Sequence, residues 1–433
     1  MSLSAGQPTI SVVVVSRRRP EALKRALVGI SQLRYPAFEV VVVADAAGLA
    51  AANDLPFGDQ LKTVEYETPN ISAARNRGIA HAAGEVVAFI DDDAVPETGW
   101  LHHLAIPFAK PEVVAAGGYV RGRNGIGFQW QAQSVDGTGE GLPLDVNGDE
   151  SVILTPNNGR AIKTEGTNMA FRRMVLAELG GFDPAFHYYL DETDVNLRLA
   201  AAGHKTAIVP RAEVHHGYAE NRQRTAARVP RDLSEIGASK AAFLRKHCPE
   251  AQRATVWEAF CQGQRRRLLS HMVAGHIMPG DVRRLMRGLQ QGYADGQTRA
   301  LGQTPELTRA ADGFAPLVVQ VGPQVVIFGR FWRRKTILRD TRRAIQDGKL
   351  PSVFIFSRTA LFHSVRFDPA GFWLQRGGLF GRSERRQSLF RIGGFGARLK
   401  QEFQRVAAQR LMSETLLPKR LQTKQQAQKR SRS

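Results

Sequence analysis

Three consecutive carboxylates end an apolar run in the first quarter of the chain. The run Val86 to Ile90 is followed directly by Asp91, Asp92 and Asp93. An acidic triplet is a poor way to build a core, because burying an unpaired charge is unfavourable. Carboxylate oxygens are, however, the ligands that Mg²⁺ and Mn²⁺ prefer. The triplet therefore indicates a divalent-cation site, although taken alone such a triplet is more often a solvated turn.

Further acids and two histidines are candidates for the same site. Asp45 ends a second apolar run. The other acids, Asp191, Glu192 and Asp194, precede the His-His pair of His215 and His216. A carboxylate can act as a general base, and imidazole is a common metal ligand. Acids at a helix start also cap the helix and compensate its dipole, which contributes ~1 kcal/mol per residue.

The elements that must position these acids follow a strand-helix-strand pattern. Residues 9–15 and 38–43 are continuous apolar runs rich in Val, and residues 21–33 have apolar side chains at helical spacing. This pattern predicts an α/β fold with a mostly parallel sheet and helices on both faces. The segment Ser16 to Pro20 lacks the GxGxxG glycines of a dinucleotide site, which argues against NAD binding.

The same alternation continues through the first half of the chain. We predict a short strand over 61–66, a helix over 70–83, a strand near 113–121 and a helix over 192–202. Residues 117–155 are rich in Gly, Asp and Asn, which predicts a long mobile loop that closes on a ligand or is a plain surface insertion. Ligands bind outside the carboxyl ends of strands in such sheets, so Asp45 and the acidic triplet are expected at the functional edge.

Charge is distributed unevenly over the 433 residues. Residues 1–218 hold 19 Lys and Arg against 25 Asp and Glu, whereas the remainder holds 41 against 15. This asymmetry predicts a first domain over 1–218, a basic and largely helical domain over 219–418, and a disordered basic tail over 419–433. Two cysteines without CxxC spacing, a short polar N-terminus and no long apolar stretch predict a cytoplasmic protein, soluble or peripheral on the inner face of the membrane.

Several features in one order resemble a known family. The segment 71–78 followed by 84–93, and the segment 166–172 followed by 180–183, are similar to the inverting family 2 glycosyltransferases of the GT-A fold. The resemblance covers roughly residues 9–217, and no single motif in it would suffice. It implies transfer of a sugar from a UDP- or dTDP-sugar to a hydroxyl of a glycan or lipid-linked acceptor, assisted by Mg²⁺ or Mn²⁺.

The resemblance also implies which residues hold the metal. Asp93 would bind the ion, and Asp91 would contact the donor ribose or the metal shell. His216 would complete the coordination, with His215 as the alternative. A metal at this place would neutralise the charge that develops on the departing diphosphate.

Donor and acceptor contacts are implied in the same way. The donor-side residues would be Asp45, Arg75, Asp91 and Asp92, with Asp45 near the base or ribose and Arg75 near the base or diphosphate. Asn168 and Met169 would belong to the acceptor side. The chain departs from the family at Ala44-Asp45, where two aspartates are common.

Inversion also requires a base that takes the proton of the acceptor hydroxyl. The family usually has Glu-Asp where this chain has Asp191-Glu192. Alignment on Leu197 to Leu199 puts the base at Glu192, with Asp191 and Asp194 as rivals.

The basic second half contains no motif that we recognise. We predict helices over 233–246, 254–277 and 333–346 and strands over 318–328 and 353–356. Residues 396–412 form a basic amphipathic pattern, typical of a helix that lies on an anionic membrane surface or packs against its own domain. Nucleic-acid binding through this half is the alternative function, disfavoured because no known module is present, and a catalytically inactive GT-A scaffold is another.

Overall fold

The computed structural model describes residues 7–217, 220, 222–302, 304–384, 387–390 and 392–422. The strands up to residue 217 are β1 Ile10–Ser16, β2 Phe38–Ala44, β3 Lys62–Glu65, β4 Val86–Asp91, β5 Ala94–Pro96, β6 Val113–Arg121, β7 Phe128–Trp130, β8 Gln133–Val135, β9 Gly141–Pro143, β10 Val152–Leu154, β11 Ala161–Lys163, β12 Met169–Arg172 and β13 Lys205–His216. The helices of this part are α1 Pro20–Ile30, α2 Ala46–Asn53, α3 Ile71–His81, α4 Trp100–Ala105, α5 Arg173–Glu178 and α6 Asp191–Ala201.

A ten-stranded sheet forms the centre of this part, in the order β10-β13-β6-β12-β4-β1-β2-β3, with β5 and β7 paired to its side. Strands β1, β2, β3 and β4 pair in parallel, as does β6 with β13. The sheet is nevertheless mixed, because β12 lies antiparallel between β4 and β6 and β10 lies antiparallel to β13. Later connections lack the repeated helical crossovers that parallel pairing needs, so the sheet is mixed.

Helices cover both faces of the sheet, as predicted. Val12 and Val14 face one apolar cluster together with the helix residues Leu23 and Leu27. Val13 faces the opposite cluster with Ile79 of α3. Alternate residues of a strand point to opposite faces, so a continuous apolar run such as β1 fits a strand buried on both sides.

The segment 117–155 is more regular than its composition predicts. Strand β6 ends at Arg121, as predicted, and short strands follow it. β8 pairs with β9 and β11 in a small antiparallel sheet, and β10 pairs with the edge of the main sheet. The long loop was therefore a wrong prediction, because strands of three residues are too short to show a period in the sequence.

The second half contains both helices and a sheet. Its helices are α7 Ser234–His247, α8 Glu250–Val273, α9 Pro279–Gly296, α10 Arg334–Gln346 and α11 Phe395–Ala407. Its strands β14 Gln324–Arg330, β15 Leu350–Ser357, β16 Ser364–Asp368 and β17 Phe372–Gly378 form a four-stranded sheet. The largely helical prediction is thus corrected, and α9 was missed although Val282, Leu285 and Leu289 have helical spacing.

Segments from the second half complete the cores of the first. Leu317 belongs to the apolar cluster on one face of the main sheet, and Leu307 belongs to the cluster on the other face. The domain boundary near residue 218 stays a prediction, and Tyr218 and Ala219 lie outside the described residues. These contacts show that the second half packs against the main sheet.

Helix α11 buries the face that was expected to meet a membrane. Leu399, Phe403 and Val406 pack in one cluster with Phe354 and Phe356 of β15. The membrane prediction for this helix is therefore wrong, because its apolar stripe is occupied by its own sheet. The start of the predicted tail, Lys419–Leu421, forms a 3₁₀ turn, and residues 423–433 lie outside the described residues. Among the described helices, none has the length and apolar content to cross a bilayer.

Candidate active site

The acidic triplet lies where the central parallel strands end. Asp91 closes β4 and pairs in register with Val15 of β1, and Ser16 pairs with Ala44 of β2. The carboxyl ends of three strands therefore meet at the edge where the sequence placed the site. The three aspartates differ in solvent exposure: Asp91 is 30% exposed, whereas Asp92 and Asp93 are buried.

Asp92 points into the protein. Its carboxylate accepts a hydrogen bond from the Ser16 hydroxyl at 2.6 Å and pairs with the Arg19 guanidinium at 2.6 Å. Burial raises the pKa of Asp92 to about 7, although Arg19 opposes this rise. The side chain of Asp92 is fully buried and holds the loop after β1, and the donor contact of Asp92 stays a prediction.

Asp91, Asp93 and His216 form a cluster suited to a metal ion. One ligand atom from each residue lies within 4.8 Å of the others. His216 Nε2 lies 3.1 Å from Asp93 Oδ1 and 4.0 Å from Asp91 Oδ2. Two carboxylates and one imidazole are a donor set that Mn²⁺ and Mg²⁺ sites accept.

Gln129 orients the His216 ring. Its Oε1 lies 2.9 Å from His216 Nδ1, and since an amide oxygen only accepts, Nδ1 carries the proton and Nε2 faces the acids. Burial disfavours the charged imidazole, but the hydrogen bond and charge of Asp93 outweigh it and raise the pKa of His216. The ring is therefore directed at the position that a cation would take.

The side chain of His215 points to the opposite side of β13 from that of His216. Neighbouring residues of β13 point to opposite sides, and His215 Nε2 lies 2.8 Å from Glu97 Oε1. Its ring also lies 4.6 Å from the ring of Trp373. Of the two histidines that the sequence left open, the structure brings His216 to the acids, and the metal assignment of His215 is wrong.

Arg75 connects the acidic triplet to helix α6. Its guanidinium pairs with Asp191, lies 3.7 Å from Asp91 and donates to the Gly166 carbonyl at 3.1 Å. The side chain is only 4% exposed. With these partners the guanidinium positions protein groups, and the donor contact of Arg75 stays a prediction.

Asp191 is the buried partner of Arg75. Burial raises its pKa and the Arg75 charge opposes that rise. Because the carboxylate faces Arg75 and the residue is 3% exposed, an acceptor hydroxyl has little access to it. Asp191 therefore fits a positioning role for the start of α6.

Glu192 lies beside a lysine and a second glutamate. Lys163 Nζ is 3.5 Å from Glu192 Oε1 and 3.4 Å from Glu165 Oε2, and the Thr193 hydroxyl donates to Glu192 at 3.0 Å. Although burial raises the pKa of Glu192, the Lys163 charge and hydrogen bonds outweigh it, so the net shift is downward. The 14% exposed side chain is thus held ionised, as a proton acceptor requires.

Asp194, the third candidate base, is enclosed by cations. It pairs with Arg198 at 2.8 Å, Lys246 at 2.8 Å and His247 at 2.8 Å, and it is fully buried. Burial opposes ionisation, but these partners lower its pKa far below the usual value. Asp194 thus joins α6 to α7 through a fully buried carboxylate, a geometry that favours Glu192 over Asp194 as the base.

Asn168 and Met169 are interior residues. Asn168 accepts a hydrogen bond from Trp100 Nε1 at 2.8 Å and donates to the carbonyls of Tyr119 and Ala212. Met169 is fully buried in the core against β4. Both side chains join β12 to its neighbours, and their place on the acceptor side stays a prediction.

Asp45 caps helix α2 at the same edge of the sheet. Its carboxylate accepts hydrogen bonds from the backbone N–H groups of Gly48 at 3.0 Å and Arg18 at 2.7 Å. It thereby shapes the loop of Arg17 to Arg19, whose last member also lies 3.5 Å from Asp93. The predicted contact of Asp45 with the nucleoside stays a prediction.

The sequence did not reveal several residues of this site. Lys163, Glu165 and Gln129 come from segments without a recognisable motif, and no local signal marks them. Arg19 is a further example, because it pairs with two buried acids, Asp92 and Asp93. Such partners become visible only when the strand order brings residues distant in sequence together.

Comparison with known proteins agrees with this geometry. Residues 8–233 match the family described as "Glycosyltransferase like family 2". The chain belongs to glycosyltransferase family 2. The matched residues contain the mixed α/β sheet of the first half.

Curated relatives of this family 2 glycosyltransferase match its first half. The O-antigen biosynthesis protein RfbC of Myxococcus xanthus is 29% identical over 50% of this chain and 18% of that protein. The pre-mycofactocin glycosyltransferase of Mycobacterium tuberculosis is 26% identical over 48% of this chain and 43% of that protein. The glucosyl-dolichyl phosphate glucuronosyltransferase of Haloferax volcanii is 29% identical over 49% of this chain and 70% of that protein. The chain thus spans less than half the length of the first two.

Two solved structures are also similar. GalNAc-T7 with UDP, GalNAc and Mn²⁺ aligns with a TM-score of 0.43 and 16% identity over 56% of this chain and 48% of that one. The mannosyltransferase PcManGT of Pyrobaculum calidifontis, with GDP-Man and Mn²⁺, aligns with a TM-score of 0.41 and 20% identity over 67% and 88%.

Proposed function

We propose that this family 2 glycosyltransferase transfers a sugar, with inversion, from a UDP- or dTDP-sugar to a hydroxyl of a glycan or lipid-linked acceptor. One observation carries the proposal: Arg75, which lies 3.7 Å from Asp91 of the Asp91, Asp93 and His216 cluster, also acts through its charge on Glu192, whose pKa is lowered. Arg75, which contacts both Asp91 and Asp191, fixes these two groups relative to each other.

The metal would be held by Asp91, Asp93 and His216. When bound there, Mg²⁺ or Mn²⁺ would supply positive charge to the donor's diphosphate as the glycosidic bond breaks. Arg19 lies 3.5 Å from Asp93 and adds a positive charge beside it. Asp45 and the loop that it holds would lie near the nucleoside, because they follow neighbouring strand ends.

Glu192 would be the general base. The acceptor oxygen forms a bond to the anomeric carbon while the bond from that carbon to the diphosphate oxygen breaks, and the hydroxyl proton moves to the Glu192 carboxylate. Lys163 keeps Glu192 ionised before the reaction. Attack from the face opposite to the diphosphate produces inversion.

The proposed acceptor class rests on the relatives. One relative is named for glucosyl-dolichyl phosphate, a lipid-linked sugar, and another for O-antigen biosynthesis. We propose the same general class here, with the enzyme acting in the cytoplasm at the membrane's inner face. The donor sugar depends on pocket shape and not on a motif.

Thermal unfolding with a panel of nucleotide sugars tests the proposal. A donor at a hundred times its Kd stabilises the folded protein by about 2.7 kcal/mol. We expect stabilisation by a UDP- or dTDP-sugar that requires Mn²⁺ or Mg²⁺, and an inverted anomeric configuration in the product by NMR. A folded protein that no nucleotide sugar stabilises in the presence of Mn²⁺ would contradict the proposal.

A matched pair of variants makes the test specific. Asp93→Asn should abolish the metal-dependent part of the stabilisation, whereas Asp59→Asn, at an exposed position away from the acidic edge, should preserve it. Equal loss in both variants would show that the stabilisation does not depend on the metal cluster.

A further inference from the structure

The small sheet of the second half presents arginines and exposed apolar side chains together at one edge. β14, β15 and β17 are parallel, and their carboxyl ends reach this edge, while the antiparallel β16 begins there. Exposed apolar residues lie close in sequence to the strand termini at this edge. They are Phe331, Trp332, Leu361, Phe362 and Phe380. The arginines beside them are Arg330, Arg334, Arg358, Arg376 and Arg382. We call these ten residues the Arg-aromatic edge.

We propose that the Arg-aromatic edge is a docking surface for an anionic lipid bilayer. This surface is distinct from helix α11, whose apolar face is buried. The proposal does not rest on the donor, acceptor or mechanism of the transferase site.

Guanidinium groups flank the exposed rings on more than one side. The Trp332 ring lies 5.7 Å from the Arg330 guanidinium and 5.6 Å from that of Arg358. Phe331 lies 4.8 Å from Arg334 and 5.8 Å from Arg376. Cation–π contacts of this kind keep the exposed rings next to the positively charged guanidinium groups at this edge of the sheet.

Four of the five arginines of this edge are not paired with an acid among the described residues. Within the described part of the chain, Arg330, Arg334, Arg358 and Arg376 form no ion pair, and the ion pair on the adjacent α10 joins Arg339 to Asp340. Arg330 Nη1 is buried and has no hydrogen-bond partner among the described atoms. A surface with unbalanced guanidinium groups attracts phosphate-bearing surfaces, and each one near a membrane contributes about 1 kcal/mol.

The apolar side chains favour a bilayer over nucleic acid. Leu361 is 64% exposed, Phe362 55% and Trp332 61%. Aromatic rings can stack on bases, but an exposed leucine has no such use, whereas Leu, Phe and Trp all bind at the boundary between headgroups and acyl chains. Trp is also enriched at that level of a membrane. The combination therefore fits an anionic lipid surface.

Vesicle sedimentation with the full chain tests the proposal. The protein should bind vesicles that contain phosphatidylglycerol and should not bind phosphatidylcholine alone. Arg334→Gln, Arg358→Gln and Arg376→Gln together should weaken binding about a hundredfold, which is roughly fivefold per arginine. The control replaces Arg265, Arg266 and Arg283, which are exposed on α8 and α9, with glutamine and removes the same total charge. Equal weakening in both triples would overturn the proposal, since net charge alone would then drive binding.

A fluorescence measurement tests whether the exposed apolar side chains of this edge insert into the bilayer. Lipids brominated in the acyl chains should quench tryptophan fluorescence in the native chain and not in Trp332→Phe. Of the other four tryptophans, Trp100, Trp130 and Trp373 are buried, and the half-buried Trp257 of α8 stacks on Tyr293 of α9 at 3.9 Å. Leu361→Ser with Phe362→Ser should weaken vesicle binding while thermal unfolding stays unchanged. Unchanged vesicle binding in this pair would overturn the proposal. So would tight binding of a single-stranded RNA oligonucleotide that the edge triple abolishes, without any vesicle binding.

Discussion

Glu97 and Arg410 form a buried ion pair that joins the two halves of the chain. Arg410 Nε lies 2.6 Å from Glu97 Oε2, and Arg410 Nη2 lies 3.1 Å from Glu97 Oε1. The same carboxylate accepts a hydrogen bond from His215, the neighbour of His216 in β13. The second half therefore completes the surroundings of the active-site strand β13.

Loss of Arg410 should destabilise the whole protein. Arg410→Met leaves the Glu97 carboxylate buried without its cation, and breaking a buried pair in this way costs about 3–5 kcal/mol. Urea unfolding should show this loss. The double variant Glu97→Gln with Arg410→Met should be more stable than Arg410→Met alone, because no unpaired charge remains. A single variant as stable as the native chain would contradict the structural role of the pair.

The same pair should make stability depend on acid pH. Burial raises the pKa of Glu97, but Arg410 and His215 outweigh it and lower it to about 2. A lowered folded-state pKa gives stability that is present above the unfolded pKa of about 4.3 and is lost as pH falls toward 2. Unfolding free energies of the native chain should therefore fall more steeply between these pH values than those of Glu97→Gln. If the free energies of unfolding of the two proteins changed equally with pH, the predicted role of Glu97 would be wrong.

Gln129 should control metal affinity without touching the ion. It accepts the Nδ1 proton of His216, and loss of such a partner typically costs 10- to 100-fold in affinity. Gln129→Leu should weaken Mn²⁺ binding by that factor in calorimetry, and Gln131→Leu, at an exposed neighbouring position, should not. In the native chain, Mn²⁺ affinity should also fall as pH decreases, because Asp93 raises the pKa of His216 and protons compete for Nε2.

Replacement of the base should separate chemistry from binding. Glu192→Gln should reduce kcat by about 10²- to 10⁴-fold while donor binding survives. Asp194→Asn should instead lower the free energy of unfolding, since Arg198, Lys246 and His247 would lose their common partner. Transfer that persists in Glu192→Gln and disappears in a stable Asp194→Asn protein would reverse the assignment.

The sequence predicted the parts of the fold that are encoded locally. The continuous Val runs of β1 and β2 and the strand that ends at Asp91 have lengths and compositions that only a doubly covered sheet explains. Strand β12 has only four residues, Met-Ala-Phe-Arg, and no Val run. Its antiparallel insertion between β4 and β6 depends on the path of the chain, which no window of sequence contains.

Some residues of the candidate site could likewise be located from the sequence, and others could not. The strand-end acids Asp91 and Asp93 were located from the sequence, because a run of apolar residues that stops at carboxylates is a local signal. The choice between His215 and His216 was not available, because it depends on the register of β13, and one residue of shift exchanges the two faces. Likewise, Arg75 and Asp191 lie far apart in sequence, and only their contact shows that both are positioning groups.

Lys163 should set the acid limb of the pH profile for sugar transfer. The base must be ionised, so kcat/KM rises with pH through the pKa of Glu192, which the Lys163 charge helps to hold below its usual value against the effect of burial. Lys163→Met removes that charge, so the pKa of Glu192 rises and the acid limb moves to higher pH. Lys163→Arg keeps the positive charge and should restore the native profile. If the acid limb is unchanged in Lys163→Met while the maximal rate falls, Lys163 acts only on packing and a different group determines the limb.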